Sequence, residues 1–168
     1  MHATSYDSME QFYYKYCADS RQLLKILEVG SQNINGTYRP IFAGHNYTGI
    51  DVVAGAGVDV VVKPWMWGDR LKELHLFDVI ISGQTLEHDA QWWRTLEQMR
   101  LAGSEGTLAC IIAPGTSPYH RAPDYYRFMP DAPVVWAELL NAELLESWWL
   151  EETPHSDCGG VFKFLGDK

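Results

Sequence analysis

Positive charge is in short supply in this sequence. Only 13 Lys and Arg stand against 22 Asp and Glu, a formal net charge of −9, and the cations form no run. A surface that grips a phosphate backbone needs them clustered, so no nucleic-acid partner is expected. Cysteine is equally sparse. Cys17, Cys110 and Cys158 are odd in number and far apart, which suits reduced thiols rather than a disulfide framework. No Cys/His spacing resembles a zinc site, so no metal is expected. Long apolar runs are missing too, and the opening residues, with Asp7, Glu10 and several tyrosines, do not read as a signal peptide. A cytoplasmic protein without membrane attachment is the expectation. Internal repeats, low-complexity segments and a Gly-x-Gly-x-x-Gly loop are likewise absent.

What remains is an ordinary globular composition, 46% hydrophobic and 21% charged over 168 residues, long enough for one domain with a single sizeable core. The stretch that organises it is Lys25 to Gly36. Ile26, Leu27 and Val29, interrupted only by Glu28, read as a buried parallel strand, and Gly30 breaks it into a polar loop ending on Asn35-Gly36. An acid at the carboxyl end of such a strand, with glycine after it, describes a nucleotide-type pocket at the first crossover of an open α/β sheet.

Along the chain, Met9, Phe12, Tyr13, Tyr16 and Cys17 recur with helical spacing, so residues 1–22 are expected to carry an amphipathic helix that covers the pocket. Tyr38 to Ala43 is expected as a crossover helix. A second strand, Tyr47 to Asp51, ends in an acid about twenty residues beyond the first loop, where a doubly wound fold places a carboxylate for the ribose of an adenosine. Val58 to Val62 reads as a third strand, a polar helical stretch follows around Leu71 and Leu74, and Phe77 to Ser82 reads as a central strand opening into Gly83 to His88. Asp89 is placed to cap a helix whose Trp92, Trp93, Leu96 and Met99 share a face and which Gly103 ends. Thr107 to Ala113 is a fifth strand. Residues 116–130 form a long irregular segment of the kind that binds or closes over ligands. Asp131 is placed to cap a helix reaching Asn141. Leu144 to Glu152 and Val161 to Leu165 read as an edge hairpin joined by a polar turn around His155-Ser156-Asp157 and ending on Gly159-Gly160, with one of Trp148 and Trp149 exposed for a partner or a homodimer contact.

This order resembles the class I S-adenosylmethionine-dependent methyltransferases over nearly the whole chain. Leu27-Glu-Val-Gly30 is similar to their first motif, Gly49-Ile-Asp51 to their ribose-binding acid, and Phe77 to His88, ending in Leu-Glu-His, to their fourth-strand motif. Gly30 to Gly36 with Arg39, Gly55 to Asp59, and His120 to Asp131 are similar to a subgroup of small single-domain bacterial members. The resemblance implies one methyltransferase domain over residues 1–168, a doubly wound, mostly parallel, seven-stranded Rossmann-like α/β sheet with an antiparallel C-terminal hairpin, and S-adenosyl-L-methionine as cofactor. Two departures stand out: Gln32 where the family's loop has a second glycine, and Lys63-Pro-Trp65 where many members place an acid near the adenine.

On this reading Glu28, Gly30, Ser31, Asn33, Asp51, Val52, Ser82, Gly83 and Gln84 hold the cofactor. Asp51 takes the ribose hydroxyls, Val52 packs beside the adenine, and Trp65 is available to stack on it. Asp59 is either a second pocket acid or an exposed strand-start residue. Methyl transfer from a sulfonium is an in-line displacement that chiefly requires alignment and exclusion of water. An acceptor hydroxyl must also lose a proton, which makes His120 and His88 the candidate bases. Asp124 would orient His120, and Arg127 either holds an anionic acceptor or pairs with Asp124. The expected acceptor is a small molecule or sugar, methylated at oxygen. A non-catalytic scaffold of the same fold is the alternative; a nicotinamide-dependent oxidoreductase shares Asp51 but lacks the glycine loop.

Overall fold

The computed structural model describes residues 3–72, 76–119, 121–152 and 155–166, apart from the side chains of Arg70, Lys72 and Glu152. Leu74 and His120 therefore lie outside the described residues. Seven strands form one sheet in the order β3-β2-β1-β4-β5-β7-β6: β1 (Lys25–Val29), β2 (Asn46–Asp51), β3 (Val60–Val61), β4 (Phe77–Gly83), β5 (Gly103–Pro114), β6 (Ala142–Glu152) and β7 (His155–Phe164). The first five run parallel, and β7 is antiparallel to both β5 and β6. No helix among the described residues is long and apolar enough to cross a membrane.

Successive residues of the central strands serve opposite faces, and both faces are apolar. Leu27, Ile80 and Ile111 pack on one face with α3 (Trp92–Ala102) and α4 (Ala132–Leu139) through Leu96, Met99 and Trp136. Ile26, Val79, Ile81, Cys110 and Ile112 pack on the other with Met9 and Phe12 of α1 (Ala3–Tyr16). A fourth helix, α2 (Gly68–Lys72), is a single short segment beside α3.

Three expectations change. Residues 38–45 are consecutive turns, not a crossover helix: Ile41, Phe42, Ala43 and His45 each donate to the carbonyl three residues back, at 2.9, 3.3, 3.3 and 3.1 Å. Gly44 at φ +96° ends the segment early and turns the chain toward β2. Tyr38, Ile41 and Phe42 are still buried, so the apolar residues do a helix's covering work without its hydrogen bonds. Second, the polar segment from His155 to Gly160 lies inside β7 rather than in a turn. A Cβ on Gly159 would stand 2.3 Å from the Trp148 indole, and one on Gly160 would stand 2.6 Å from the Phe162 ring. These glycines seat aromatic rings within the sheet, and their density mimics a turn signal in the sequence. Third, Trp148 and Trp149 are both half-buried, packed on opposite faces of the sheet. Smaller differences follow: β3 is two residues long, and Asp131 makes no side-chain cap on α4.

Candidate active site

A cavity of about 880 Å³ opens at the carboxyl edge of the parallel strands, walled by the ends of β1, β2 and β4 and by the segment after β5. Its position is the one the topology dictates. β1 leads outward to β2 on one side, β4 lies on the other, and the crevice between the diverging loops receives the ligand.

Gly30 makes the first turn possible. Its φ is +80°, and a Cβ there would lie 2.2 Å from the Thr85 hydroxyl of the facing loop. Glu28 lies in the wall, almost wholly buried, with one carboxylate oxygen accepting from the Tyr47 hydroxyl at 2.7 Å. Burial drives its pKa up to about 7, against the Tyr47 hydrogen bond and the Arg39 charge, which favour the ionised form. Asp51 closes the far side of the first loop. One of its oxygens accepts from the Gln32 N–H at 3.1 Å and the other from the Val53 N–H at 3.2 Å, which leaves each oxygen a lone pair for a ligand hydroxyl. Gln32 thus serves the loop through its backbone, and its side chain folds over Gly55, where a Cβ would meet Gln32 Nε2 at 2.7 Å.

Of the nine residues expected around the cofactor, Glu28, Gly30, Ser31, Asp51, Val52, Gly83 and Gln84 line the cavity, and Asn33 and Ser82 do not. Asn33 is exposed and accepts from the Gly36 N–H at 2.9 Å, an Asx turn that shapes the loop from behind. Ser82 is buried and donates to the Val29 carbonyl at 3.0 Å, tying β4 to β1. The Ser31 hydroxyl is buried with no hydrogen-bond partner among the described residues. Gln84, at φ +55°, donates to Asp157 at 2.9 Å. Asp59 belongs to the scaffold: it accepts from the Gly49 N–H at 2.7 Å and pairs with Arg39 at 2.6 Å. Trp65 does line the cavity, its indole N–H 3.1 Å from Asp89 and its ring beneath the Arg94 guanidinium. Asp89 also accepts from the Gln91 N–H at 2.8 Å and the Thr95 hydroxyl at 2.6 Å, which fixes the start of α3 from two residues before its N-cap, Gln91.

The opposite wall is the 116–130 segment docked on the turn after β4. The Tyr125 N–H donates to the Glu87 carbonyl at 2.7 Å, the Tyr126 hydroxyl to the Ala90 carbonyl at 3.0 Å, and the His88 ring meets the Pro123 carbonyl. This brings Pro118, Arg121, Pro123 and Tyr125 into the wall. Asp124 is not in it. Its carboxylate accepts from both terminal nitrogens of Arg127, one at 2.7 Å, and the same guanidinium donates to the carbonyls of Ser117, Tyr126 and Pro118. Arg127 thus pairs with Asp124 and braces the segment internally. None of the described residues of α1 lines the cavity. The helix packs on the sheet face, anchored by Thr4 on Asp157 at 2.6 Å and by Ser5 on Tyr38.

His88 sits in the wall on a single turn of 3-10 helix, Leu86–His88. That same turn carries Glu87 inward, a residue the sequence reading did not single out although the Leu-Glu-His motif contains it. Its carboxyl is fully buried, lines the cavity and makes no hydrogen bond among the described residues. Burial pushes its pKa up to about 8.

No family model and no curated protein matches this chain by sequence. Solved structures do match. A Burkholderia thailandensis 1,6-didemethyltoxoflavin-N1-methyltransferase, with 1,6-didemethyltoxoflavin and S-adenosylhomocysteine bound, is similar over 96% of this chain and 78% of its own, at 14% identity and a TM-score of 0.71. The N-terminal domain of EvdMO1, crystallised in the presence of S-adenosylhomocysteine and D-fucose, is similar over 97% and 84%, at 14% identity and a TM-score of 0.62. The [4+2]-cyclase SpnF is similar over 96% and 82%, at 10% identity and a TM-score of 0.71. With its strand order and reversed β7, this chain has the α/β, Rossmann-like fold of the class I S-adenosylmethionine-dependent methyltransferases.

Proposed function

We propose that this protein is an S-adenosylmethionine-dependent methyltransferase acting on an oxygen of a small molecule or sugar. The observation that carries the reading is the convergence of Glu28, the Gly30 turn and Asp51 at one end of a cavity whose other end is walled by a separate, braced loop. The first end suits the cofactor: Asp51 keeps a lone pair on each oxygen for ribose hydroxyls, Glu28 suits an ammonium group, the Ser31 hydroxyl lacks a partner, and Val52 and Trp65 supply apolar surface for a flat base. The volume lies at the upper end of the range for ligand sites, roughly 300–1,000 Å³, which leaves room for an acceptor. When bound, S-adenosylmethionine supplies a methyl group on a cationic sulfur. The chain supplies alignment, a wall against water and a destination for the acceptor's proton.

The acceptor class rests on size, aromatic content and similarity, since the matching structures include one with 1,6-didemethyltoxoflavin bound and one crystallised in the presence of D-fucose. His88 remains the proposed base inside the described structure, and His120 is proposed on the sequence alone. The test is thermal melting of the purified chain with S-adenosylmethionine and S-adenosylhomocysteine, beside Asp51→Ala. A stabilising shift that disappears in the variant is expected; no shift in the wild-type protein overturns the proposal. The scaffold reading has one observation in its favour, that a cyclase shares this fold. It predicts the same melting shift and no transfer to any acceptor.

A further inference from the structure

Both oxygens of the Glu87 carboxyl are buried, line the cavity and lack a hydrogen-bond partner among the described residues. A carboxyl left in that state is costly to the fold whichever form it takes. It is not an accident of a loose loop, because the Glu87 backbone is held by the Tyr125 N–H and its turn is pinned by His88 on Pro123. The Ser117 hydroxyl, on the same side of the cavity, is also buried without a partner. This wall therefore presents two unsatisfied polar groups to whatever enters beside the cofactor.

The neighbouring ring is already oriented. His88 Nδ1 faces the Pro123 carbonyl, which has no proton to give, so Nδ1 carries the hydrogen. In the neutral ring Nε2 then holds the lone pair, and it lies 3.5 Å from Glu87 Oε1. A carbonyl fixes the tautomer and a carboxyl stands at the other nitrogen. That is the arrangement of an oriented base with a proton-sharing partner.

We propose that Glu87 and His88 act as one proton-accepting pair at the acceptor end of the cavity, and that the acceptor oxygen is that of a hydroxyl group. The proposal rests on the methyl-transfer reading. The acceptor's lone pair forms the new bond to the methyl carbon while the carbon–sulfur bond breaks and leaves its electrons on sulfur. The acceptor's proton passes to the pair, with Glu87 ionised and His88 neutral beforehand. The positive charge on sulfur and the negative charge on the pair vanish together, so the step balances. Glu87 is the group the acceptor's donor atom meets, with Ser117 as a second contact.

Among the described residues, Asp124 and Arg127 from the loop and Asp157 from β7 act on the Glu87 charge. Burial raises the carboxyl, its own backbone N–H and then Arg127 oppose that, and the two aspartates add to it. The reactive form is accordingly expected to grow in as the pH rises toward about 8.

The test is a titration of full-length protein carrying ¹⁵N-histidine and ¹³C-carboxyl glutamate, in wild type and in Glu87→Gln, which keeps shape but cannot take the proton. In wild type the Glu87 and His88 signals should move in the same two coupled steps. In Glu87→Gln the step that belongs to the carboxyl should vanish from the His88 signal. A His88 signal that follows the same course in both proteins overturns the pair. If the variant does not fold, the wild-type spectra decide: uncoupled, single-step titrations overturn it equally. Melting with S-adenosylhomocysteine is run on the same samples. No stabilisation there overturns the methyl-transfer reading and with it the reaction assigned to the pair, whatever the titration gives.

Discussion

Gly30→Ala should damage the protein in a way that a second substitution repairs. At φ +80° an alanine is confined to a region that costs about 1–2 kcal/mol for a residue with a Cβ. Its methyl group would also stand 2.2, 2.3 and 2.8 Å from Oγ1, Cγ2 and Cβ of Thr85, overlap of the kind that costs roughly 1–3 kcal/mol when a packed site must shift. Together these give a loss of about 3 kcal/mol, or on the order of 6–12 °C in Tm for a chain of this size. Thr85→Gly removes all three clashing atoms and by itself should cost only about 1 kcal/mol, from added backbone freedom. In the double variant the overlap is gone and only the φ cost and the Thr85 cost remain, so urea denaturation of the four proteins should give a favourable coupling of about 2 kcal/mol. Strict additivity, or a single Gly30→Ala variant as stable as wild type, would refute the claim that these two loops touch as closely as described.

Other perturbations probe the site more directly. Asp51→Ala should weaken S-adenosylhomocysteine binding in calorimetry by on the order of 100-fold, the worth of two hydrogen bonds to a charged group, with Asp51→Asn losing less; equal affinity would remove the ribose assignment. Burial raises Glu28 from the ordinary carboxyl range to about 7, so the folded protein holds a proton that the unfolded chain releases. Its contribution to stability is therefore present below about pH 4.5 and is lost as pH rises through 7. Glu28→Gln should flatten that decline between pH 5 and 8, and urea midpoints that fall in parallel would contradict it. Arg127→Ala takes the guanidinium away from the buried Asp124 carboxylate and should cost about 3 kcal/mol, with faster proteolysis of residues 116–130 but little change in S-adenosylhomocysteine affinity. A variant that lost cofactor affinity and kept its loop intact would mean Arg127 faces the ligand after all.

The parallel half of the sheet is legible because its physics is local. A strand buried on both faces must be apolar at consecutive positions, and Lys25–Val29 and Phe77–Gly83 announce themselves that way. The covering layer is less legible. Tyr38, Ile41 and Phe42 have to be buried to close one face, and that demand is met equally by a helix or by a run of turns, so apolar spacing alone does not choose between them. The hairpin misleads for a different reason. Gly159 and Gly160 have the composition of a turn, and what they answer to is the size of Phe162 two residues along the same strand and of Trp148, which only the pairing of β6 with β7 brings opposite Gly159.

The same division runs through the site. Asp51 and the Gly30 turn follow from chain order, since in a doubly wound sheet the end of each parallel strand fixes where the next residue goes. Ser82 and Asn33 sit in those same loops but turn away from the cavity, because each hydroxyl or amide found a backbone partner nearer than any ligand. Glu87 went the opposite way. In the sequence it is the middle letter of a motif whose histidine draws the eye, and in a three-residue turn no periodicity says which of two neighbours points inward. Docking the 116–130 segment on that turn is what buries Glu87, since the Tyr125 N–H takes its carbonyl and leaves its side chain with no water to turn to. A long-range contact therefore creates the group's chemistry. Any change that lifts the loop, Arg127→Ala among them, should return Glu87 toward the ordinary carboxyl range and uncouple it from His88.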